Sequence, residues 1–302
     1  MYGICKKQIF SVVQFVIFTY FIKGKEEMFL FKKKDNHNLH GQRIIVSEGG
    51  SRFGSHGYTR LRDNLLYINS DGNRKVIQME SSMAKEGKTS VTANLAVSLG
   101  LTDKKVVVID LDFRRPRTHR IFHLPKENGI AEYMIGAVTQ ESIIKHTKYK
   151  NVDIVTRGSE IYNPALILVS EKFKEFIADM RAKYDFVLLD CAPVLQVSDY
   201  IHISKVSDGA LFLVAYGRTT KTQVSEAVKE LKKNNVTILG TLFTMYDRKK
   251  DSRYGYGGYY GKYYDSAYGD ALVNKTAVDE ESGTEDHTDE QKEEHTDEIK
   301  SE

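Results

Sequence analysis

VIQMESSMAKEGKTS, residues 76–90, begins with the β-prone run Val76-Ile77-Gln78-Met79, passes through small and polar residues, and ends on Gly87-Lys88-Thr89-Ser90. Beyond it Val91, Leu95, Ala96 and Leu99 recur at helical spacing. Strand, tight loop and helix are the setting of a phosphate-binding P-loop, in which backbone N–H groups and a helix N-terminus converge on a nucleotide's phosphates. The cradle is then Ser82, Met83, Ala84, Lys85, Glu86, Gly87, Lys88, Thr89 and Ser90. Lys88 supplies positive charge at the β- and γ-phosphates, and the Thr89 hydroxyl is placed to ligate Mg²⁺. The expected ligand is Mg-ATP or Mg-GTP. Ser82 stands where the pattern G-x-x-x-x-G-K-[ST] has its first glycine, so this stretch alone also fits an ordinary strand-to-helix turn.

Two downstream stretches bear on that choice. Residues 106–117, VVVIDLDFRRPR, read as a buried strand ending in Asp110 and Asp112. On a strand, an i, i+2 spacing puts two carboxylates on the same side. Beside a P-loop they can hold a metal shell and accept a proton from an attacking hydroxyl; as loop caps they would pair with the arginines instead. Residues 184–193, YDFVLLDCAP, form a second apolar strand ending in Asp190, a Walker-B pattern aimed at the metal or its water. The three features in order point to a nucleotide site.

The chain has 302 residues, enough for one large α/β domain with tails. Two cysteines, Cys5 and Cys191, argue against a disulfide framework and fit a reducing cytoplasm. The formal charge of +3 conceals an asymmetry: residues 271–302 hold 12 acids and 3 lysines, net −9, leaving about +12 on the remainder.

At the amino-terminal end, residues 9–22, IFSVVQFVIFTYFI, run 14 residues without charge between Lys6, Lys7, Lys23 and Lys25. A bilayer span needs about 20 apolar residues, and the stretch lacks a small-residue cleavage site. It reads as an interfacial anchor, or as untranslated sequence if the start is Met28. Residues 32–54 are basic and then rich in Gly and Ser, a linker pattern, and residues 58–68 place Tyr58, Leu61, Leu65 and Ile68 on one helical face.

The body alternates in period. Helices are expected at 128–138, 165–183, 199–205 and 222–234, with strands at 152–155, 210–215 and 238–243. The fold class is α/β: a P-loop NTPase with a mostly parallel central sheet flanked by helices and ligands beyond the strands' carboxyl ends. Nothing in the body reads nucleic acid. The basic run at 114–120 adjoins the carboxylates, so acids, phosphates or a partner subunit are its expected mates. His119 and His123 are four apart without a third ligand and read as surface or packing histidines.

Residues 253–270, RYGYGGYYGKYYDSAYGD, carry Tyr254, Tyr256, Tyr259, Tyr260, Tyr263, Tyr264 and Tyr268 among four glycines between the first and last of them. That glycine density resists helix and strand and predicts a flexible segment with exposed tyrosines. Such a run fits a sticky low-complexity tail, and equally an ATP site tethered to its own substrate. Each phosphotyrosine adds about −1.5 to −2 charges, enough to make the segment strongly anionic. Residues 276–302 repeat H-T-D-E and read as a disordered, solvated acidic tail.

Over roughly residues 58–270 the chain resembles the bacterial tyrosine kinases, in particular the separate cytoplasmic kinase that works with a membrane chain-length-determinant protein in making capsular and exopolysaccharides. The resemblance rests on EGKTSVTANLAVSLG (86–100), KKVVVIDLDFRRPRTHRIF (104–122), NGIAEYMIG (128–136), YDFVLLDCAPVL (184–195) and the tyrosine cluster. It implies ATP- and Mg²⁺-dependent autophosphorylation of that cluster, largely between neighbours in a homo-oligomeric ring. Activation by a transmembrane polysaccharide co-polymerase adaptor, reversal by a cognate tyrosine phosphatase, and a place at the inner face of the plasma membrane are implied with it. Lys88 would bind phosphate, Thr89 and Asp112 would serve Mg²⁺, Asp110 would be the base, and Asp190 would complete the metal shell. The implied division is an amino-terminal segment (1–54), kinase domain (55–245), tyrosine cluster (246–270) and acidic tail (271–302).

The chain departs from the family pattern at three places. Ala84 and Lys85 replace the proline and glycine of P-G-E-G-K-[ST]; His56, Thr59 and Arg62 keep only the last residue of E-x-x-R-x-x-R, the subunit-contact helix; and Cys191 stands where threonine or serine is common. The rival readings are a MinD/ParA-like switch ATPase, whose loop carries an early second lysine where this chain has Met83, and a non-catalytic scaffold with the tail as its interaction platform.

Overall fold

A computed structural model describes residues 44–46 and 52–245. The apolar segment at 9–22, the tyrosine cluster and the acidic tail lie outside the described residues. The described residues build a seven-stranded sheet in the order β3-β4-β2-β5-β1-β6-β7, where β1 is Val76–Ser81, β2 Val106–Asp110, β3 Ile144–His146, β4 Val152–Val155, β5 Phe186–Asp190, β6 Gly209–Ala215 and β7 Ile238–Thr244. Every pairing is parallel except β3 with β4.

Strands β1, β2, β5 and β6 are buried along their whole length. That explains their near-continuous apolar runs: a parallel sheet covered on both faces has no solvent side to alternate toward. Successive residues still face opposite layers. Val108 and Leu188 pack with Leu61, Leu65, Leu95 and Leu99 of helices α1 (Arg52–Ile68) and α2 (Lys88–Gly100). Val107, Ile109, Val187 and Leu189 face Phe173, Phe176, Ile177 and Met180, which lie on the helix Glu171–Lys183 of the other layer. Burying each such side chain is worth about 1.5–3 kcal/mol.

Three expectations shift. Helix α1 starts at Arg52, within the residues read as linker, and upstream of it the Ile45 and Val46 N–H groups donate to Asn94 Oδ1 at 2.7 and 3.2 Å. The helix expected at 128–138 is the short α4 (Ile130–Met134), which follows α3 (Thr118–Phe122) and precedes Gly136 at φ +78°, a left-handed position that ends a helix. After it come α5 (Gln140–Ile143) and the antiparallel edge strand β3. The single helix expected at 165–183 is two: α6 (Pro164–Val169) and α7 (Glu171–Lys183). Ser170 turns extended between them, and its Oγ accepts the Phe173 N–H at 3.2 Å, an N-cap that starts α7 afresh. Helices α8 (Asp199–Ile203) and α9 (Lys221–Lys233) complete the layers. Among the described residues no helix is long and apolar enough to cross a membrane.

Candidate active site

Because β5 is the middle strand and pairs parallel with β1 and β2 on either side, the carboxyl ends of all three lie on the same edge of the sheet, where such folds bind ligands in a crevice. The loop after β1 turns directly into α2. Gly87 precedes the first helical residue at φ +92°, a conformation that favours glycine. Lys85 holds φ +66°, so the position where the family has glycine is left-handed here and is filled by a side chain that points into solvent.

The loop is braced from inside. Glu86 is buried; its Oε2 accepts the Ser82 N–H at 3.1 Å and its Oε1 accepts the Thr219 hydroxyl at 2.5 Å. Burial raises its carboxyl above the usual range, opposed by these bonds and by the Lys88 charge. The Glu86 carbonyl accepts the hydroxyl of Thr244, the last residue of β7, at 2.7 Å, and Arg218 donates to the Lys85 carbonyl at 3.2 Å. The phosphate loop is therefore held by the ends of β6 and β7, more than 130 residues away.

Lys88 is 7% exposed, its ammonium donating to Ser81 Oγ at 3.1 Å. Asp110 and Asp190 are register partners on β2 and β5, both fully enclosed. Burial raises both carboxyls; the neighbouring Asp190 pushes Asp110 up further, whereas Lys88, then the Thr89 and Thr118 hydroxyls, draw Asp190 down. Asp190 Oδ1 is buried without a hydrogen-bond partner among the described residues. A carboxylate oxygen kept in that state beside the Thr89 hydroxyl and the P-loop lysine suits a divalent cation. Mg²⁺ needs few protein ligands because phosphate oxygens and waters complete its shell, so the residues present fit the group.

Asp112 is placed differently from expectation. Strand β2 ends at Asp110, so Asp112 lies in the loop beyond it and not on the strand. Its Oδ1 accepts the Arg114 and Arg115 N–H groups at 3.3 and 2.9 Å, and its own N–H donates to Asp110 Oδ1 at 3.2 Å. Asp110 Oδ2 accepts the Arg117 and Thr118 N–H groups, each at 3.1 Å. Both acids thus shape the arginine-rich loop as well as facing the crevice.

Sequence reasoning missed Glu80. It lies on β1 with no partner in hydrogen-bond geometry for either carboxylate oxygen among the described residues, and burial pushes its pKa up to about 8, with Lys88 and the Cys191 thiol opposing. Cys191 lies beside it, its thiol driven up by burial and by the Glu80 carboxyl. A glutamate at the end of an apolar run carries no signal of its burial.

A family model described as an AAA domain matches residues 74–239. Tyrosine-protein kinase YwqD of Bacillus subtilis (strain 168) is 30% identical over 226 residues, covering 75% of this chain and 95% of that one. The chain is a bacterial tyrosine-protein kinase. Among solved structures, this kinase superposes on the BceF tyrosine kinase domain with a TM-score of 0.62 at 26% identity, covering 67% of this chain and 81% of that one. The septum site-determining protein MinD from Pyrococcus horikoshii OT3, complexed with Mg-ADP, matches with a TM-score of 0.50 at 27% identity over 59% of this chain and 72% of that one. The kinase therefore shares the nucleotide-binding P-loop fold with the MinD ATPases.

Proposed function

We propose that this kinase transfers the γ-phosphoryl group of ATP, with Mg²⁺, to tyrosines of its own carboxyl-terminal cluster, Tyr254, Tyr256, Tyr259, Tyr260, Tyr263, Tyr264 and Tyr268. The observation that carries this reading is the Thr244–Glu86 bond: the strand that leads into the cluster ends against the phosphate loop. Tyr254 follows Thr244 by ten residues, a reach of about 33–36 Å at full extension. Phenol hydroxyls are thus tethered within reach of a nucleotide site.

Each residue of the crevice takes a role in this reading. N–H groups of the Ser82–Ser90 loop other than that of Ser82, which Glu86 holds, and the Lys88 ammonium would bind the phosphates. Thr89, Asp190 and Asp112 would hold Mg²⁺, which would supply charge neutralisation at the transferring group. Asp110, once ionised, accepts the phenol proton: burial and Asp190 make it more basic, and among the described residues Oδ1 carries only the Asp112 N–H, leaving it a free lone pair.

From the family likeness we assign the kinase a transmembrane polysaccharide co-polymerase adaptor, a cognate tyrosine phosphatase and a role in capsular or exopolysaccharide polymerisation and export at the inner face of the membrane. Transfer runs between copies in a ring. Of the subunit-contact positions, Arg62 is retained, and its guanidinium meets Asp63 at 2.8 Å.

The test is full-length protein with Mg-ATP, with and without the adaptor's cytoplasmic segment, followed by mass spectrometry of residues 253–270, with Lys88→Met as control. Phosphate that is absent from the control alone supports the reading. When Lys88→Met protein is mixed with wild type, phosphate on its tail marks transfer between copies. ATP hydrolysis with an unmodified tail would overturn the autokinase in favour of a switch ATPase.

A further inference from the structure

The loop after β2, the Lys126 turn and the end of β4 form the walls of a shallow, open basin of about 640 Å³ lined by Arg114, Arg115, Arg117, Arg120, Lys126 and Arg157. Glu127 is the one acid on its wall. Arg114 is committed to Asp199 at 2.5 Å, and buried Arg157 donates to the Phe113 carbonyl at 2.8 Å. Arg115, Arg117, Arg120 and Lys126 have no carboxylate partner among the described residues. The field is strong enough to reach a neighbour: after burial, the Arg120, Lys126 and Arg157 charges hold the His119 imidazole below its usual range.

A concentration of like charge opposes folding unless something offsets it. The same chain carries its complement, 12 acids against 3 lysines in residues 271–302. We infer that the basin is the docking site for the acidic tail of this chain, which it takes up as an acidic peptide through arginine–carboxylate pairing. Arginine clusters recognise acidic and phosphorylated segments in this way, by forked, charge-assisted hydrogen bonds.

Docking there has a geometric consequence. Arg117 and Thr118 donate their N–H groups to Asp110, so the basin's loop is wired to the acid proposed as base. The first tail acid, Asp279, follows Tyr268 by 11 residues, which span at most about 36–40 Å. A docked tail holds the tyrosine cluster beside the crevice at raised effective concentration. It serves as an anchor for the substrate, distinct from the tyrosines that react. This consequence for catalysis rests on the autokinase reading; the binding does not.

The experiment separates the two. A full-length chain with its tail acids changed to Asn and Gln leaves the basin open, and a labelled peptide of residues 276–302 is titrated into it without nucleotide, read by fluorescence anisotropy. The expected result is saturable binding that weakens as salt rises. In the same chain carrying Arg120→Glu and Lys126→Glu, two side chains placed outside the catalytic machinery, binding falls by about tenfold or more. Thermal unfolding confirms that the variant is folded. Equal binding to both chains, or none to either, overturns the inference. Binding abolished by ATP in proportion to nucleotide occupancy also overturns it, because the basin would then belong to the nucleotide. With the wild-type tail, the same double substitution slows phosphorylation of the cluster while a neutral tyrosine peptide is modified as before. A chain that binds the peptide and phosphorylates nothing overturns the autokinase alone.

Discussion

Asp110 and Asp190 lie directly opposite one another on adjacent parallel strands, two enclosed carboxyls at the carboxyl edge of the sheet. Burial and like-charge repulsion favour their protonated forms, opposed by Lys88 and the Thr89 and Thr118 hydroxyls at Asp190 and by Thr118 at Asp110. Groups with raised folded-state pKa values contribute stability that is complete below the unfolded value of about 4 and is lost as pH rises through the folded value. Nucleotide-free protein should therefore lose stability from acid toward neutral pH. Asp190→Asn flattens that slope, by at most about 1.4 kcal/mol per pH unit for one proton, while kinase activity falls on the order of 100-fold with loss of the proposed metal ligand. Thermal unfolding across pH and phosphate incorporation check the two halves.

Glu80 makes a parallel case on β1, where it feels the Lys88 and Asp190 charges. Burial pushes its carboxyl from 4.5 up to about 8, so its contribution to stability is expected to be full below 4.5 and to be lost as pH rises through about 8. Glu80→Gln keeps the shape and removes the titration. Its urea midpoint should change less than that of the wild type across this window and exceed it at the alkaline end. A variant as pH-dependent as the wild type would show that Glu80 is not the titrating group.

Lys85 occupies a left-handed backbone position. A side chain there costs about 1–2 kcal/mol, part of which glycine returns through its freer unfolded state. Lys85→Gly is expected to raise stability by about 0.5–1 kcal/mol. Lys85→Ala keeps the Cβ and with it the strain. Denaturant midpoints of the two variants distinguish backbone strain from loss of charge.

The Glu86 brace links three segments by its side chain and carbonyl. Glu86→Ala leaves the Ser82 N–H and the Thr219 hydroxyl without their acceptor, at about 1–3 kcal/mol. Because the lost order is in the phosphate cradle, nucleotide affinity should fall on the order of tenfold. Thr244→Val, which removes one neutral hydrogen bond, should cost about 0.5–1.5 kcal/mol and act in the same direction. Fluorescent-nucleotide titration reads both.

The central strands were legible because burial on both faces leaves an unbroken apolar run, as in Val106–Asp110 and Phe186–Asp190. The edge strand Ile144–His146 was not, since its three residues are short and partly exposed. The break at Ser170 is silent to periodicity, because apolar spacing continues across it. Lys88, Asp110 and Asp190 could be read because each sits where its own strand or loop delivers it. Glu86's partners could not: Thr219 is 133 residues away and Thr244 is 158, and hydroxyls carry no pattern. The basin is of the same kind, assembled from a loop, a turn and a strand end that local sequence does not connect.

The bond between Thr244 and Glu86 also imposes an order in time. Synthesis proceeds from the amino terminus, so the phosphate loop is made long before the strand that clamps it, and β6 waits for β7 with an unpaired edge. A nascent chain lacking Ile238–Thr244 has an incomplete cradle. The segment that completes it is the last described strand made before the tyrosine cluster, so the cradle is complete just ahead of the proposed substrate.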